Sequence, residues 1–93
     1  MYIVSLNYIQ PLEQVDMLIN QHIEWLERNY QLGYFMVSGR KQPRTGGVIL
    51  VNSMPKQQLE QILQQDPFQV VAKYSITEVH FSKVQTDLVA LKE

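Results

Sequence analysis

His22 is the residue in this sequence best suited to proton transfer. An imidazole titrates near neutral pH, so it can act as a general acid or a general base. Val15, Ile19 and Leu26 recur at helical spacing around His22, which places the imidazole on the apolar face of a predicted helix. This pattern directs His22 towards a sheet. A core histidine held by one hydrogen bond fits the same pattern and is the simpler interpretation of an isolated histidine.

Asp66 is the candidate partner of His22. It falls on the same face of a second predicted helix as Leu59, Ile62 and Leu63. A carboxylate at the C-terminal end of a helix is badly placed against the helix dipole, so a local interaction should favour it there. Pairing would orient the imidazole and make it a better base. The alternative is an Asp-Pro turn, in which the carboxylate caps the loop that follows.

A polar, glycine-bearing segment between two predicted strands suits an anionic ligand. Ser38-Gly39 ends one strand, and residues 43–47 lead into the next. Glycine lets backbone N–H groups approach an anion, and arginine can clamp a carboxylate. The candidate substrate-binding residues are therefore Ser38, Gly39, Arg44 and Gly46. An ordinary β-hairpin connection explains the same spacing, and the segment has neither a P-loop nor a dinucleotide fingerprint.

The sequence gives no support for metal or thiol chemistry. It contains no cysteine, which excludes disulfides, thiolate nucleophiles and Cys-ligated metals. Glu78 and His80 lie on the same face of a predicted strand, but two ligands without a third do not make a metal site. We therefore expect neither a metal nor a cofactor.

The composition describes one small folded domain. A length of 93 residues with 45% hydrophobic residues predicts a single domain at 1–93, with its core at about 1–81 and a C-terminal tail at 82–93. A net charge of -1 with scattered Lys and Arg argues against nucleic acid and against membrane surfaces as partners. No signal-peptide pattern and no apolar run of membrane-spanning length occur, which favours a cytoplasmic protein.

These residues are carried by a predicted α+β domain of β-α-β-β-α-β order. The predicted elements are a strand at 2–8, a helix at about 12–32 that stops at Gly33, strands at 34–39 and 48–51, a second helix capped by Ser53 that ends at Asp66, a strand at 74–81 and a short helix in the tail. The second and third strands should form a hairpin joined near Lys41 to Thr45.

The strands are apolar on both faces, which predicts a homodimer. Ile3 with Val4, Phe35 with Met36, and the run 48–51 direct apolar side chains to opposite sides of the sheet. Two helices from one chain cover only one of these sides. A second copy of the sheet is the simplest cover for the other side. The alternative is an edge effect in a small domain.

From about Met1 to Phe81 the sequence resembles the YciI-like, or YCII-related, family. The resemblance rests on short motifs in a fixed order, namely Pro11-Leu12-Glu13, His22 followed by Trp25-Leu26, Gly33, Ser38-Gly39, Pro43-Arg44, Gly46-Gly47, Asp66-Pro67-Phe68 and Tyr74-Ser75-Ile76. It implies a ferredoxin-like fold with an antiparallel sheet that dimerises into a dimeric α+β barrel. It also implies a cleft with a His-Asp pair, which matches His22 and Asp66.

Three functions remain open at this point. The first is a small cofactor-independent enzyme of isomerase or lyase type, in which His22 is a general base oriented by Asp66 and Arg44 holds a small anionic substrate. The second is a non-catalytic dimeric module that binds a small molecule in the same cleft. The third is a structural dimer, bound or fused to other proteins.

Overall fold

The chain folds into a four-stranded sheet with two helices packed on one face. A computed structural model describes all 93 residues, Met1–Glu93. In chain order the elements are β1 (Tyr2–Tyr8), α1 (Leu12–Gln31), β2 (Phe35–Arg40), β3 (Gly46–Val51), α2 (Lys56–Gln64) and β4 (Ala72–Glu78). Short 3-10 helices cover Pro67–Val70 and Thr86–Leu91. The predicted α+β class and β-α-β-β-α-β order are confirmed.

The sheet has the strand order β2-β3-β1-β4, with every neighbouring pair antiparallel. β2 and β3 form the predicted hairpin, joined by residues 41–45. The two central strands, β3 and β1, are therefore not consecutive in the chain, and each helix crosses over the sheet to connect strands. This is the ferredoxin-like arrangement.

The core lies between the helices and the sheet face that they cover. Trp25 of α1 is fully buried at its centre, and its indole N–H donates to the Ile62 carbonyl of α2 at 3.1 Å. That bond fixes the two helices against each other while leaving no buried donor unpaired. The buried cluster consists of Tyr2, Val4, Leu6, Val15, Trp25, Phe35, Ile49, Val51, Leu59, Ile62, Leu63, Phe68, Val71 and Ala72.

Proline and glycine set the helix ends. Pro11 and Pro55 stand at the N-cap positions of α1 and α2, and neither helix has a side-chain cap. The predicted Ser53 cap is therefore wrong, because α2 begins only after Pro55. Gly33 has φ 79°, a left-handed conformation that stops α1. Neither helix combines the length and the apolar character that crossing a lipid bilayer requires.

The sheet face away from the helices grades from apolar to polar. One row of paired residues crosses all four strands and is largely apolar, being formed by Val37, Leu50, Ile3 and Thr77. Towards the other end Lys41 donates to Ser5 Oγ and to Asn7 Oδ1, both at 2.8 Å. No element of the chain covers this outer face, so its apolar row is only partly shielded from water.

The tail folds back beside the N-terminus. Ser53 Oγ lies 3.2 Å from the Met1 ammonium and donates to Glu93 Oε2 at 2.7 Å. The Met1 ammonium also forms an ion pair with the Glu93 carboxylate, and these contacts lower the pKa of Glu93. The side chain predicted to cap α2 is thus used to hold the tail.

Gly46 should be irreplaceable at the start of β3. A Cβ built there lies 1.7 Å from the Leu6 carbonyl oxygen, so any side chain forces β1 and β3 apart. We expect Gly46→Ala to lower the free energy of unfolding by about 2 kcal/mol or more. Gly39→Ala is the matched control, since a Cβ at Gly39 meets nothing within 4 Å. Urea unfolding followed by circular dichroism measures both variants, and equal stabilities would contradict the close approach.

Candidate functional site

α1 directs His22 into the space between the helix and the sheet. Val15, His22, Trp25 and Asn29 are the buried residues of this helix, and their spacing defines one face. His22 is 8% exposed, so the imidazole is inside the domain but not sealed from solvent. Phe68 stacks on the ring, with centroids 3.8 Å apart and planes 4° from parallel. This packing fixes the plane of the imidazole.

Asp66 lies just beyond α2 and begins the 3-10 helix Pro67–Val70. Its Oδ1 accepts a hydrogen bond from the Phe68 backbone N–H at 2.9 Å, which is the capping contact of an Asp-Pro turn. The same oxygen lies 2.7 Å from His22 Nδ1. The two interpretations of Asp66 offered by the sequence therefore hold together: this carboxylate caps a turn and pairs with the histidine.

Tyr74 supplies the third contact of the Asp66 carboxylate. Its hydroxyl donates to Oδ2 at 2.5 Å from β4. Burial raises the pKa of Tyr74 well above its ordinary value, and the hydrogen bond to Asp66 raises it further. The Asp66 side chain is fully shielded from solvent, and no buried polar side-chain atom in the chain lacks a partner. Three donors therefore compensate for the burial of this carboxylate.

The pairing determines which nitrogen of His22 is free to react. A carboxylate only accepts hydrogen bonds, so Nδ1 carries the proton that it donates to Asp66. In the neutral imidazole Nε2 is then unprotonated. Nε2 makes no hydrogen bond within the protein, and it is not buried. It is available as a base towards the adjoining cavity.

That cavity has a volume of about 210 Å³ and lies between α1 and the sheet. It is below the roughly 300–1,000 Å³ typical of pockets for drug-sized ligands, so its occupant must be small. Its walls are mainly apolar. The lining residues are Leu6, Tyr8, Ile19, His22, Ile23, Leu26, Ser38, Gly39, Arg40, Gly47, Val48, Ile49 and Phe68.

The six residues predicted for the site separate into two groups. His22, Ser38 and Gly39 line the cavity, with Asp66 directly behind His22. Ser38 Oγ also lies 2.6 Å from the Tyr30 hydroxyl. Arg44 and Gly46 are not among the lining residues.

Arg44 pairs instead with Asp16 on the exposed side of α1. The hydrogen bond between them lowers the pKa of Asp16 and raises that of Arg44. Gly46 is accounted for by the close approach of β3 to the Leu6 carbonyl. The hairpin interpretation of this segment therefore explains the placement of both residues.

Arg40 and Tyr74 contribute to the site although sequence reasoning did not select them. Arg40 lines the cavity because β2 continues one residue beyond Gly39, where the predicted strand ended. Tyr74 faces the helices because it pairs with Leu6, a buried position of β1. Its signal was its place in the last strand, two residues from Ile76 on the same face. No group of three His, Asp or Glu side chains in the chain lies close enough to hold a metal ion.

Comparisons with known proteins agree with this fold. A family model described as the YCII-related domain matches residues 1–80. A solved structure of 5-chloro-2-hydroxyhydroquinone dehydrochlorinase (TftG) from Burkholderia phenoliruptrix, in complex with 2,5-dihydroxybenzoquinone, is similar with a TM-score of 0.71. The two are 15% identical, and the match covers 88% of this chain and 97% of that chain. No curated protein matches the sequence significantly.

Replacing Tyr74 should destabilise the protein in a pH-dependent way. Tyr74→Phe leaves Asp66 Oδ2 buried without a donor, which should cost about 1.5–3 kcal/mol at pH 8. Because the folded pKa of Tyr74 is raised, its contribution is present below the unfolded value of about 10 and is lost as pH rises further. The stability difference between wild type and Tyr74→Phe should therefore shrink above about pH 10.

Urea unfolding across that pH range measures the difference. Tyr34→Phe is the control, because the Tyr34 hydroxyl makes no hydrogen bond within the protein, and it should change stability little. A Tyr74→Phe variant as stable as wild type at pH 8 would show that Asp66 does not depend on this donor.

Proposed function

Because this chain belongs to the YCII-related domain family, we propose that it is a small cofactor-independent enzyme that transfers a proton at a carbon next to a carbonyl. His22 is the proposed general base and Asp66 the residue that orients it. The observation that carries the proposal is the difference between the two ring nitrogens of His22. Nδ1 is held by a buried carboxylate, and Nε2 is left free at a cavity. That arrangement suits a general base better than a purely structural core histidine.

The proposed chemistry needs only these side chains. His22 Nε2 removes a proton from carbon, and the electron pair of the C–H bond moves to form an enolate. The imidazolium that results is stabilised by the Asp66 carboxylate at Nδ1. Return of the proton at a different carbon gives isomerisation, while loss of a leaving group from the neighbouring carbon gives elimination.

The cavity walls favour a small, largely apolar substrate with few polar contacts. Ser38 and Gly39 are the proposed substrate-binding residues of the wall. Arg44 and Gly46 were the other candidates, and Arg44 would have to leave Asp16 in order to contribute. The similar dehydrochlorinase structure holds a dihydroxybenzoquinone, and this supports an elimination on a small ring as one form of the proposed reaction. A likeness at 15% identity shows that the folds are similar, and it assigns no role to any residue of this chain.

A homodimer formed through the outer sheet face completes the proposal. The row of Val37, Leu50, Ile3 and Thr77 is continuous across the sheet, and Val37 is 59% exposed. A second copy would cover this row and convert two open sheets into a dimeric α+β barrel. Lys41, held by Ser5 and Asn7, would lie at the polar end of that interface.

A non-catalytic binding module is the second candidate function. It is favoured by the mainly apolar walls, which would retain a small molecule without transforming it. The two functions differ in what His22 does. A catalytic base changes the covalent structure of the ligand, while a binding residue changes only its affinity.

Loss of His22 should abolish proton transfer without unfolding the protein. The test incubates the protein with small carbonyl-bearing acids in deuterated buffer and follows C–H exchange by NMR, with chloride release from 5-chloro-2-hydroxyhydroquinone as a second readout. We expect His22→Ala to lower the rate about 10²- to 10⁴-fold, because it removes the only proposed base. Asp66→Asn should also slow exchange, since an amide no longer requires the Nδ1 tautomer.

His80→Ala is the matched control for that experiment, because the His80 side chain is 72% exposed and lies outside the cavity. Circular dichroism confirms that each variant is folded. Exchange that persists in folded His22→Ala contradicts the proposal. Ligands that bind wild type but never exchange favour the binding module, and a His22→Ala variant that simply unfolds favours a structural histidine.

The homodimer is tested by light scattering at micromolar concentration. Leu50→Lys places a charge in the centre of the outer row and should shift the mass from dimer to monomer. Met17→Lys is the control, since Met17 is 81% exposed on α1, away from the sheet. A wild-type protein that is a well-behaved monomer would remove the dimer from the proposal.

A further inference from the structure

Arg40 is placed by the sheet register on the same side as the candidate base. In β2, Ser38 pairs with Ile49 and Arg40 pairs with Gly47. Ile49 is buried against the helices, so Ser38 and Arg40 share the helix-covered face. Gly47 has no side chain and lines the cavity together with Arg40. Arg40, Ser38 and His22 all line the one cavity.

The charge of Arg40 is not compensated within the chain. Arg44 lies in the same hairpin and forms an ion pair with Asp16, whereas Arg40 forms no ion pair. The cavity lining contains no Asp or Glu. The Asp66 carboxylate lies behind His22, where it accepts from His22, Phe68 and Tyr74. The cavity therefore carries one net positive charge at its β2 edge.

The remaining walls select for an apolar body. The rings of His22 and Phe68 line one part of the cavity, and aliphatic side chains from α1, β1 and β3 line most of the rest. A small apolar body fits against such walls, and a guanidinium binds a carboxylate or an enolate oxygen through charge-assisted hydrogen bonds. Both requirements are met by one class of molecule.

We propose that Arg40, and not Arg44, recognises the negative charge of the ligand, and that the ligand is a small organic anion with an apolar body. The inference rests on the proposed function only in placing this ligand in the His22 cavity. Arg40 holds the anionic group at the edge, and the reactive carbon lies towards His22 Nε2. The carbon chain of Arg40 also covers part of the apolar wall, so its role is both ionic and steric.

Benzoate and benzamide are the probes that test this, because they have nearly the same shape and differ in charge. Dissociation constants are measured by NMR titration of the wild-type protein with each. We expect wild type to bind benzoate about 10- to 100-fold more tightly than benzamide, the factor that a charge-assisted hydrogen bond provides. Arg40→Gln should abolish that preference, and Arg40→Lys should restore part of it.

Arg28→Gln is the matched control, since Arg28 is exposed on α1 and does not line the cavity. It should keep the wild-type preference. The proposal is overturned if wild type does not distinguish the probes, if it binds neither at millimolar concentration, or if Arg44→Gln loses the preference while Arg40→Gln keeps it. Thermal unfolding of each variant shows that a lost preference is not a lost fold.

The outcome is independent of turnover. A preference for benzoate that depends on Arg40, together with no proton exchange on any substrate, would leave the anion site standing and remove the enzyme. If proton exchange depends on His22 while ligand affinity does not depend on Arg40, the enzyme proposal stands and the anion site is removed.

Discussion

The buried carboxylate of Asp66 is the interaction on which the rest of this structure depends. An ionised group cannot be removed from water without compensation, and here three separate parts of the chain supply it. α1 contributes His22, the turn after α2 contributes the Phe68 N–H, and β4 contributes Tyr74. The carboxylate therefore joins α1 and the turn after α2 to the last strand.

The Asp66 carboxylate also makes the two sides of the His22 imidazole different. One side is occupied by the carboxylate and is inaccessible, while the other adjoins the cavity. Phe68 contributes twice, since its backbone satisfies Asp66 and its ring stacks on His22. The geometry that we propose for proton transfer is thus the same geometry by which the domain satisfies its buried charge.

Much of this arrangement could be predicted from the sequence. Helical periodicity placed His22 on the inner face of α1, and the stripe of apolar residues in α2 directed Asp66 to the same layer. The hairpin followed from two apolar runs separated by a polar segment marked by proline and glycine, and the ferredoxin-like fold followed from the resemblance to a family. Ser53 was misplaced because Pro55, and not a hydroxyl, begins α2. Tyr74 was missed because its spacing from Ile76 indicates its face but not its partner, which depends on the long-range register between β1 and β4.

Arg40 was missed because a bulge in β2 changes which of its side chains face the cavity. Phe35 pairs with Val51 and Val37 with Leu50, so Met36 is an extra residue that forms a bulge in β2. Counting by twos from Phe35 would direct Val37 and Gly39 inward, but the bulge reverses the parity and directs Ser38 and Arg40 inward instead. If Met36 instead took a regular place opposite Leu50, the bulge would disappear, and Val37 and Gly39 would replace Ser38 and Arg40 on the cavity side without a single substitution in the lining. In this architecture the choice between a charged and a neutral ligand therefore depends on whether one strand keeps its bulge.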